Sequence, residues 1–221
     1  MILGLINRAG VIACLVVCAA CAQVALMSVT PTIAALARHL DQRTASEIVE
    51  LDKKQDWPGM LGLARIQLQR EPGRADWWFL QGYALARQGQ HAAAVESYQR
   101  AIRISPEDEA TWLALGASQN ALGQIERAIQ TYQQLLRNRP ESAQAYLALA
   151  DTYQAQGRMD LAITNYRECV RYEPDSAQGW YGLTVSYQLT RQNERRDEAL
   201  RNLRKLAPAV ADQYEKQYPA K

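Results

Sequence analysis

Side chains that commonly carry out catalysis or bind metals are scarce in this chain. It has two histidines, His39 and His91, and four cysteines, of which Cys14, Cys18 and Cys21 lie near the N-terminus. So few residues cannot be assembled into a catalytic triad or a histidine-rich metal site. The sequence also lacks a Cys-x-x-Cys-His haem motif, a phosphate-binding loop and a His-Glu-x-x-His zinc motif. We therefore predict that the protein is not an enzyme and that it uses no metal or other cofactor.

The chain also lacks an excess of one charge. Its 25 Lys and Arg residues nearly balance its 23 Asp and Glu residues, which leaves a formal net charge of +2. A nucleic-acid-binding domain is expected to have a pI above about 9 and a basic stripe. We therefore expect no nucleic-acid partner. Cys169 is the one cysteine that follows the N-terminal region, and we predict that it is buried and unreactive.

A long uncharged run is present at the N-terminus. Residues 9–29 contain no Asp, Glu, Lys or Arg. A helix of this length spans about 31 Å, which is enough to cross a hydrocarbon core of about 30 Å. We predict an uncleaved signal anchor over residues 1–29, forming one transmembrane helix in a bacterial inner membrane. Two alternatives are a signal peptide cleaved after the Ala20-Cys21-Ala22 motif and a lipoprotein that carries its lipid on Cys21.

Orientation and self-association of this segment are less strongly specified by the sequence. Basic residues flank the run on both sides, at Arg8 and at Arg38, so their count does not set the orientation. Short apolar segments at an N-terminus usually act as export signals, and we therefore expect the folded domain in the periplasm. Small residues recur every four positions from Gly10 to Ala22, a spacing that permits a homodimer through the transmembrane helix.

The rest of the chain is dominated by an internal repeat. Trp78, Trp112 and Trp180 fall in one register whose step is 34 residues, with Tyr146 at the remaining position. The same step relates further residues of the segment 112–140 to positions before and after it. These residues are Leu115, Gly116, Ala128, Tyr132 and Pro140. Small and aromatic residues four apart share a helix face, so each unit is predicted to be a pair of antiparallel helices.

The spacing resembles the tetratricopeptide repeat (TPR) family, whose pattern is Trp-x2-Leu-Gly-x2-Tyr, then Ala-x3-Phe, then Pro. The best match lies in Trp112–Gln119, in Ala128–Tyr132 and at Pro140. This resemblance implies an all-α fold, a right-handed superhelix of helix-turn-helix units that follows the N-terminal transmembrane helix. Gly89, Gly123 and Gly157 are predicted to end the first helix of their units in the left-handed conformation.

The predicted boundaries follow from this register. After the anchor we expect a linker, a divergent helix pair without the usual marks, four repeat units and a C-terminal capping helix. Their ranges are 30–43 for the linker, 44–74 for the divergent pair, 75–108, 109–142, 143–176 and 177–208 for the units, and 209–221 for the capping helix. In the fourth unit Arg191 replaces the interhelix glycine and Arg196 replaces the recurring alanine of the register. Such departures are typical of the last unit of a solenoid.

In the family that the repeat resembles, the first helices of the units line a concave groove that binds peptides. Carried onto this sequence, the resemblance implies a largely neutral groove. Its predicted lining residues are Phe79, Tyr83, Leu113, Asn120, Leu147, Asp151, Gln154, Tyr181 and Val185. Members that clamp a peptide carboxylate have Lys and Asn where this chain has Phe79 and Tyr83, so a chaperone clamp is disfavoured.

The sequence thus predicts a membrane-anchored scaffold that binds a peptide or protein partner and assists assembly of an envelope complex. One alternative is an accessory factor of cytochrome c maturation that binds apocytochrome, because such factors also combine an N-terminal span with a TPR array. A second alternative is a structural subunit, or a factor in the assembly of pili or of a secretion system.

Overall fold

The computed structural model describes residues 40–218, and every regular element of this range is an α-helix. The helices, in chain order, are α1 (Gln42–Lys53), α2 (Trp57–Arg70), α3 (Ala75–Arg87), α4 (His91–Ile104), α5 (Glu109–Ala121), α6 (Ile125–Asn138), α7 (Ala143–Ala155), α8 (Met159–Tyr172), α9 (Ala177–Leu189), α10 (Asn193–Leu206) and α11 (Pro208–Gln217). The predicted membrane segment, 1–29, lies outside the described residues. Between residues 40 and 218, no helix has both the length and the apolar character that crossing a bilayer requires.

The helix bounds confirm the predicted pairing. The first helices, α3, α5, α7 and α9, have 13 residues each, and the second helices, α4, α6, α8 and α10, have 14. Contacts divide the chain into two compact units: unit 1 ends at Gln124 and unit 2 begins at Ile125. This boundary falls between the two helices of the repeat 109–142.

Three of the first helices begin with a side-chain cap. Asp108 accepts a hydrogen bond from the backbone N–H of Thr111 at 3.1 Å. Ser142 and Ser176 accept equivalent bonds at 3.0 and 3.3 Å, from the third residue of α7 and of α9. Each cap satisfies one of the N–H groups that the first turn of a helix leaves without an intrahelical partner.

The prolines of the register lie before these caps. The repeat pattern would suit Pro106, Pro140 and Pro174 to the first turn of the next helix. That expectation is wrong, since those helices begin three residues later. The proline carbonyls instead have a recurring partner. Pro106 accepts a hydrogen bond from Trp112 Nε1 at 2.8 Å, and Pro174 accepts one from Trp180 Nε1 at 2.8 Å. The tryptophan of the register therefore ties each of these turns to the helix that follows it.

The segment expected to hold a divergent helix pair contains α1 and α2, and it begins earlier than the sequence indicated. Helix α1 starts at Gln42, two residues before the predicted boundary at residue 44. The cap is Asp41, whose carboxylate accepts from the N–H of Thr44 at 3.0 Å. Capping by Asp41 starts the helix about one turn earlier than capping by Thr44 would.

In unit 1 the core is formed by buried residues of the helices α1 to α5. Ile48, Met60, Leu80 and Ala94 have no exposed surface, and Tyr98 is 1% exposed. The ring of Tyr98 packs against Gly82, where an added Cβ would come within 2.7 Å of the ring. The small residue on the first helix thus makes room for the aromatic residue of the second.

In unit 2 the buried residues include Leu135, Ala162, Tyr166 and Leu203. The C-terminal helix α11 contacts α10 and covers the end of the unit. Tyr214 is 2% exposed and donates a hydrogen bond to Gln188 Oε1 at 3.3 Å. Burial of a side chain of this size contributes about 1.5–3 kcal/mol, so α11 stabilises the last repeat.

Candidate functional site

The predicted lining residues lie on first helices, with α3 and α5 in unit 1 and α7 and α9 in unit 2. Five of them are buried and four are half-buried. The buried ones are Phe79, Tyr83, Leu147, Gln154 and Val185. These five side chains pack inside their units, which leaves them almost no surface for a peptide, and we do not retain them as contact residues. The half-buried ones are Leu113, Asn120, Asp151 and Tyr181.

In unit 1, Phe79 and Tyr83 belong to an aromatic cluster. Their rings stack with centroids 6.4 Å apart, and Phe79 also contacts Tyr98. Trp57 meets Tyr83 edge to face at 5.8 Å, with the Arg87 guanidinium 4.5 Å from the centroid of the Trp57 ring. Trp57 of the divergent helix pair thus covers Tyr83, one of the positions that the sequence assigned to a peptide.

The hydroxyl of Tyr83 is also engaged. It donates a hydrogen bond to Asp52 Oδ1 at 2.9 Å. Burial and the charge of Asp52 raise the pKa of Tyr83 above its usual range. Tyr83 therefore joins α3 to α1 rather than presenting its hydroxyl to a ligand.

In unit 2, Gln154 is the buried centre of a hydrogen-bond chain. Its Nε2 donates to Ser186 Oγ at 3.1 Å, which joins α7 to α9. The Tyr166 hydroxyl of α8 lies 3.0 Å from Gln154 Oε1. A buried amide is stable only when it is paired in this way, and the pairing explains why this glutamine is inside.

Asp151 lies on α7, one turn before Gln154, and shares the partner Tyr166. The Tyr166 hydroxyl lies 2.5 Å from Asp151 Oδ1 and donates to the ionised carboxylate. Burial raises the pKa of Asp151 to about 6, and this hydrogen bond opposes the rise. The residue is nevertheless half-buried rather than closed off, so it combines a dense protein environment with some solvent contact.

Helix α9 provides the space for Tyr166. A Cβ added to Gly182 would overlap the ring of Tyr166. The glycine lets the ring lie directly on α9, and the hydroxyl then reaches Asp151 and Gln154 on α7. The tyrosine register predicted that Tyr166 shares a helix face with Ala162 but not this polar contact, although a hydroxyl and a carboxyl can form such a hydrogen bond.

Comparisons with known proteins agree with the repeat fold. The family model for the tetratricopeptide repeat matches residues 85–152 and, in a second alignment, 120–184. The two matched segments together span residues 85–184. No curated protein sequence matches the chain significantly.

Solved structures share the TPR fold. A crystal structure of MamA superposes with a TM-score of 0.59 at 20% identity, covering 76% of this chain and 96% of that one. MamA 41-end from Desulfovibrio magneticus RS-1 gives 0.58 at 17% identity, covering 85% of this chain and 98% of that one. YrrB, a TPR protein with an unusual peptide-binding site, gives 0.58 at 18% identity, covering 75% and 87%. At these identities the likeness concerns the fold.

The TPR helices also account for the isolated cysteine. Cys169 is fully buried on α8, and its Sγ lies 3.7 Å from Ser176 Oγ. Burial raises the pKa of its thiol to about 11, which keeps the thiol protonated and poorly nucleophilic at neutral pH. Across residues 40–218, no group of three or more His, Cys, Asp and Glu residues is arranged to hold a metal ion.

Proposed function

We propose that this protein is a membrane-anchored TPR scaffold that binds a peptide or protein partner and assists assembly of a complex at the bacterial envelope. The TPR array supports binding rather than catalysis, because its first helices present preformed surfaces between rigid turns. YrrB, which has the same fold, has a peptide-binding site. The anchor is supported by the uncharged run over residues 9–29.

One observation carries the binding proposal. In both units, first-helix positions that the family uses for peptides hold half-buried side chains without a basic residue: Leu113, Asn120, Asp151 and Tyr181. Half-buried apolar groups suit a peptide that offers apolar side chains. Residues with little free surface, such as Val185 at 1% exposed, instead hold the helices in place.

The test compares partner capture by the wild-type full chain and by two double variants, in membranes solubilised with mild detergent. The first variant combines Leu113→Ala with Tyr181→Ala, one substitution on a first helix of each unit. The matched control combines Leu161→Ala with Tyr172→Ala, which removes the same side-chain types from α8, where both are 37% exposed. A partner recovered by cross-linking is then purified and its affinity for each variant is measured.

We expect the first variant to lose about tenfold or more in affinity while the control binds like the wild type. Circular dichroism should show equal helix content for all three. Equal affinity of the first variant and the wild type would contradict binding through the first helices. A purified partner identified as an apocytochrome, or as a pilus or secretion component, would decide between the specific assembly roles.

A further inference from the structure

Asp151 carries a charge that unit 2 does not balance. The carboxylate of Asp76, also on a first helix, lies 3.0 Å from the Nε of Arg74. Asp151 has no such cation: its hydrogen bond comes from the neutral Tyr166 hydroxyl, and no basic residue contributes to the pKa shift of its carboxyl. A carboxylate enclosed by protein without a cationic partner is costly.

The surrounding helices do not supply the missing charge. Helix α6 brings Tyr132 near Asp151, and α8 brings Tyr166 and Cys169. Burial raises the pKa of Tyr132 above its usual range and that of Cys169 to about 11. These groups are therefore neutral at pH 7, when the Asp151 carboxyl is mostly ionised, and they can solvate the charge only through hydrogen bonds.

The geometry leaves part of the carboxylate open. Tyr166 holds Oδ1, which fixes the orientation of the group, while no described residue donates a side-chain hydrogen bond to Oδ2. The residue keeps some solvent contact on a first-helix position that the family uses for peptides. An oriented, accessible carboxylate in surroundings of low polarity binds an external cation more strongly than an exposed carboxylate does.

We propose that Asp151 binds the ammonium or guanidinium group of a lysine or arginine side chain in the partner peptide. This inference rests on the proposed function, since it names the chemistry that the binding surface selects. The cation of the peptide supplies the positive charge that the residues around Asp151 do not provide.

The test uses the full chain in mild detergent and a library of twelve-residue peptides with blocked termini. Each peptide contains one lysine, and a matched version has norleucine in its place, so that only the charged group differs. Affinities are measured by fluorescence polarisation at pH 7.5 for the wild type and for Asp151→Asn, which keeps an oxygen for Tyr166 but has no charge. Asp175→Asn is the control, because Asp175 lies in the exposed turn before α9 and its loss changes the net charge equally.

We expect binding peptides to prefer lysine over norleucine by about tenfold in the wild type and in Asp175→Asn, and to lose that preference in Asp151→Asn. The preference should also shrink at pH 5, where Asp151 becomes protonated. Peptides that bind equally well with norleucine, or that keep the preference in Asp151→Asn, would overturn this inference and leave the proposed function standing. Failure of every peptide in the library to bind would overturn this inference, while the partner-capture experiment decides the proposed function separately.

Discussion

Asp151 is the one charged residue among the nine that the sequence placed in the groove. Its register position predicted a first-helix surface residue, and the structure adds the hydrogen bond from Tyr166 and a dense environment. Solvent contact at the surface would have left the carboxyl with an ordinary pKa. The tertiary packing of α6 and α8 against α7 is what changes it, because desolvation disfavours the charged form.

The shifted pKa of Asp151 predicts a specific dependence of stability on pH. Its folded-state pKa of about 6 lies above the ordinary value of 3.8, so the folded protein binds the proton more tightly than the unfolded chain. The penalty for holding the charge is absent below about pH 4 and grows until the pH passes 6. We expect Asp151→Asn, relative to wild type, to be more stable at pH 7.5 than at pH 4.5 by about 1–3 kcal/mol.

Urea unfolding of both proteins at the two pH values measures this difference. Asp175→Asn serves as the control, because Asp175 is exposed and its replacement changes the net charge equally. A stability difference between Asp151→Asn and wild type that does not change with pH would show that the carboxyl titrates normally in the folded protein.

At the scale of helices and turns, five interhelix turns share one backbone conformation, a residue with positive φ. Gly89, Gly123 and Gly157 have φ of 76°, 71° and 73°, as their register predicted. The same register position holds Gln55 in the divergent pair, with φ of 54°, and Arg191 in the fourth unit, with φ of 59°. A residue with a Cβ is strained in this left-handed region. The terminal pairs thus keep the turn geometry although they have lost the glycine.

This strain predicts that glycine is favoured at the two terminal turns. Replacing either Arg191 or Gln55 by glycine should raise the free energy of unfolding by about 0.5–1 kcal/mol, the relief of strain less the entropy cost of glycine. Gly157→Ala is the reciprocal control. No atom lies within 4 Å of the added Cβ there. A loss of stability in Gly157→Ala would therefore come from backbone strain and not from a steric clash.

Thermal and urea unfolding with circular dichroism measures these effects. If Arg191→Gly and Gln55→Gly both destabilise the protein while Gly157→Ala has no effect, strain in the left-handed backbone conformation does not lower the stability of these turns. The side chains of Gln55 and Arg191 are exposed, so their removal by itself should have little influence on packing.

For the whole molecule, the proposal joins a TPR array to an anchor. The uncharged run over residues 9–29 is the basis of the proposed anchor. The last helix ends the array with a polar surface: Arg204 pairs with Glu215 at 2.5 Å, and both are about half exposed. Such a surface suits a terminus in water.

This arrangement predicts the behaviour of C-terminal fusions in a bacterial host. Alkaline phosphatase fused after Lys221 should be active and should sediment with membranes, whereas green fluorescent protein exported through the same pathway should stay dark. The same phosphatase fusion beginning at residue 41 should be inactive and should not sediment, because it lacks the apolar run.

Other results would each select an alternative. An active phosphatase found in the soluble periplasm would indicate cleavage of the segment. Membrane association that is lost with Cys21→Ala would indicate a lipoprotein. A fluorescent, membrane-bound fusion with inactive phosphatase would place the TPR array in the cytoplasm and contradict the proposed location.

The sequence by itself determined the helix pairs, their register and the glycine turns. These features are local or repeat at a fixed step, so residues such as Gly157 and Ala162 reveal them without knowledge of the neighbouring elements. It also identified the first helices as the candidate surface. The caps of α7 and α9 at Ser142 and Ser176 can also be predicted from the sequence, because capping depends on residues three apart.

Only the tertiary structure decided which first-helix side chains are accessible. Tyr83 is covered because Asp52 and Trp57 of a divergent pair pack on it, and Gln154 is buried because Ser186 and Tyr166 satisfy its amide. Asp151 acquired its raised pKa from the same packing. Burial and hydrogen bonding depend on residues that are far apart in the sequence, and a repeat pattern does not specify which of them meet.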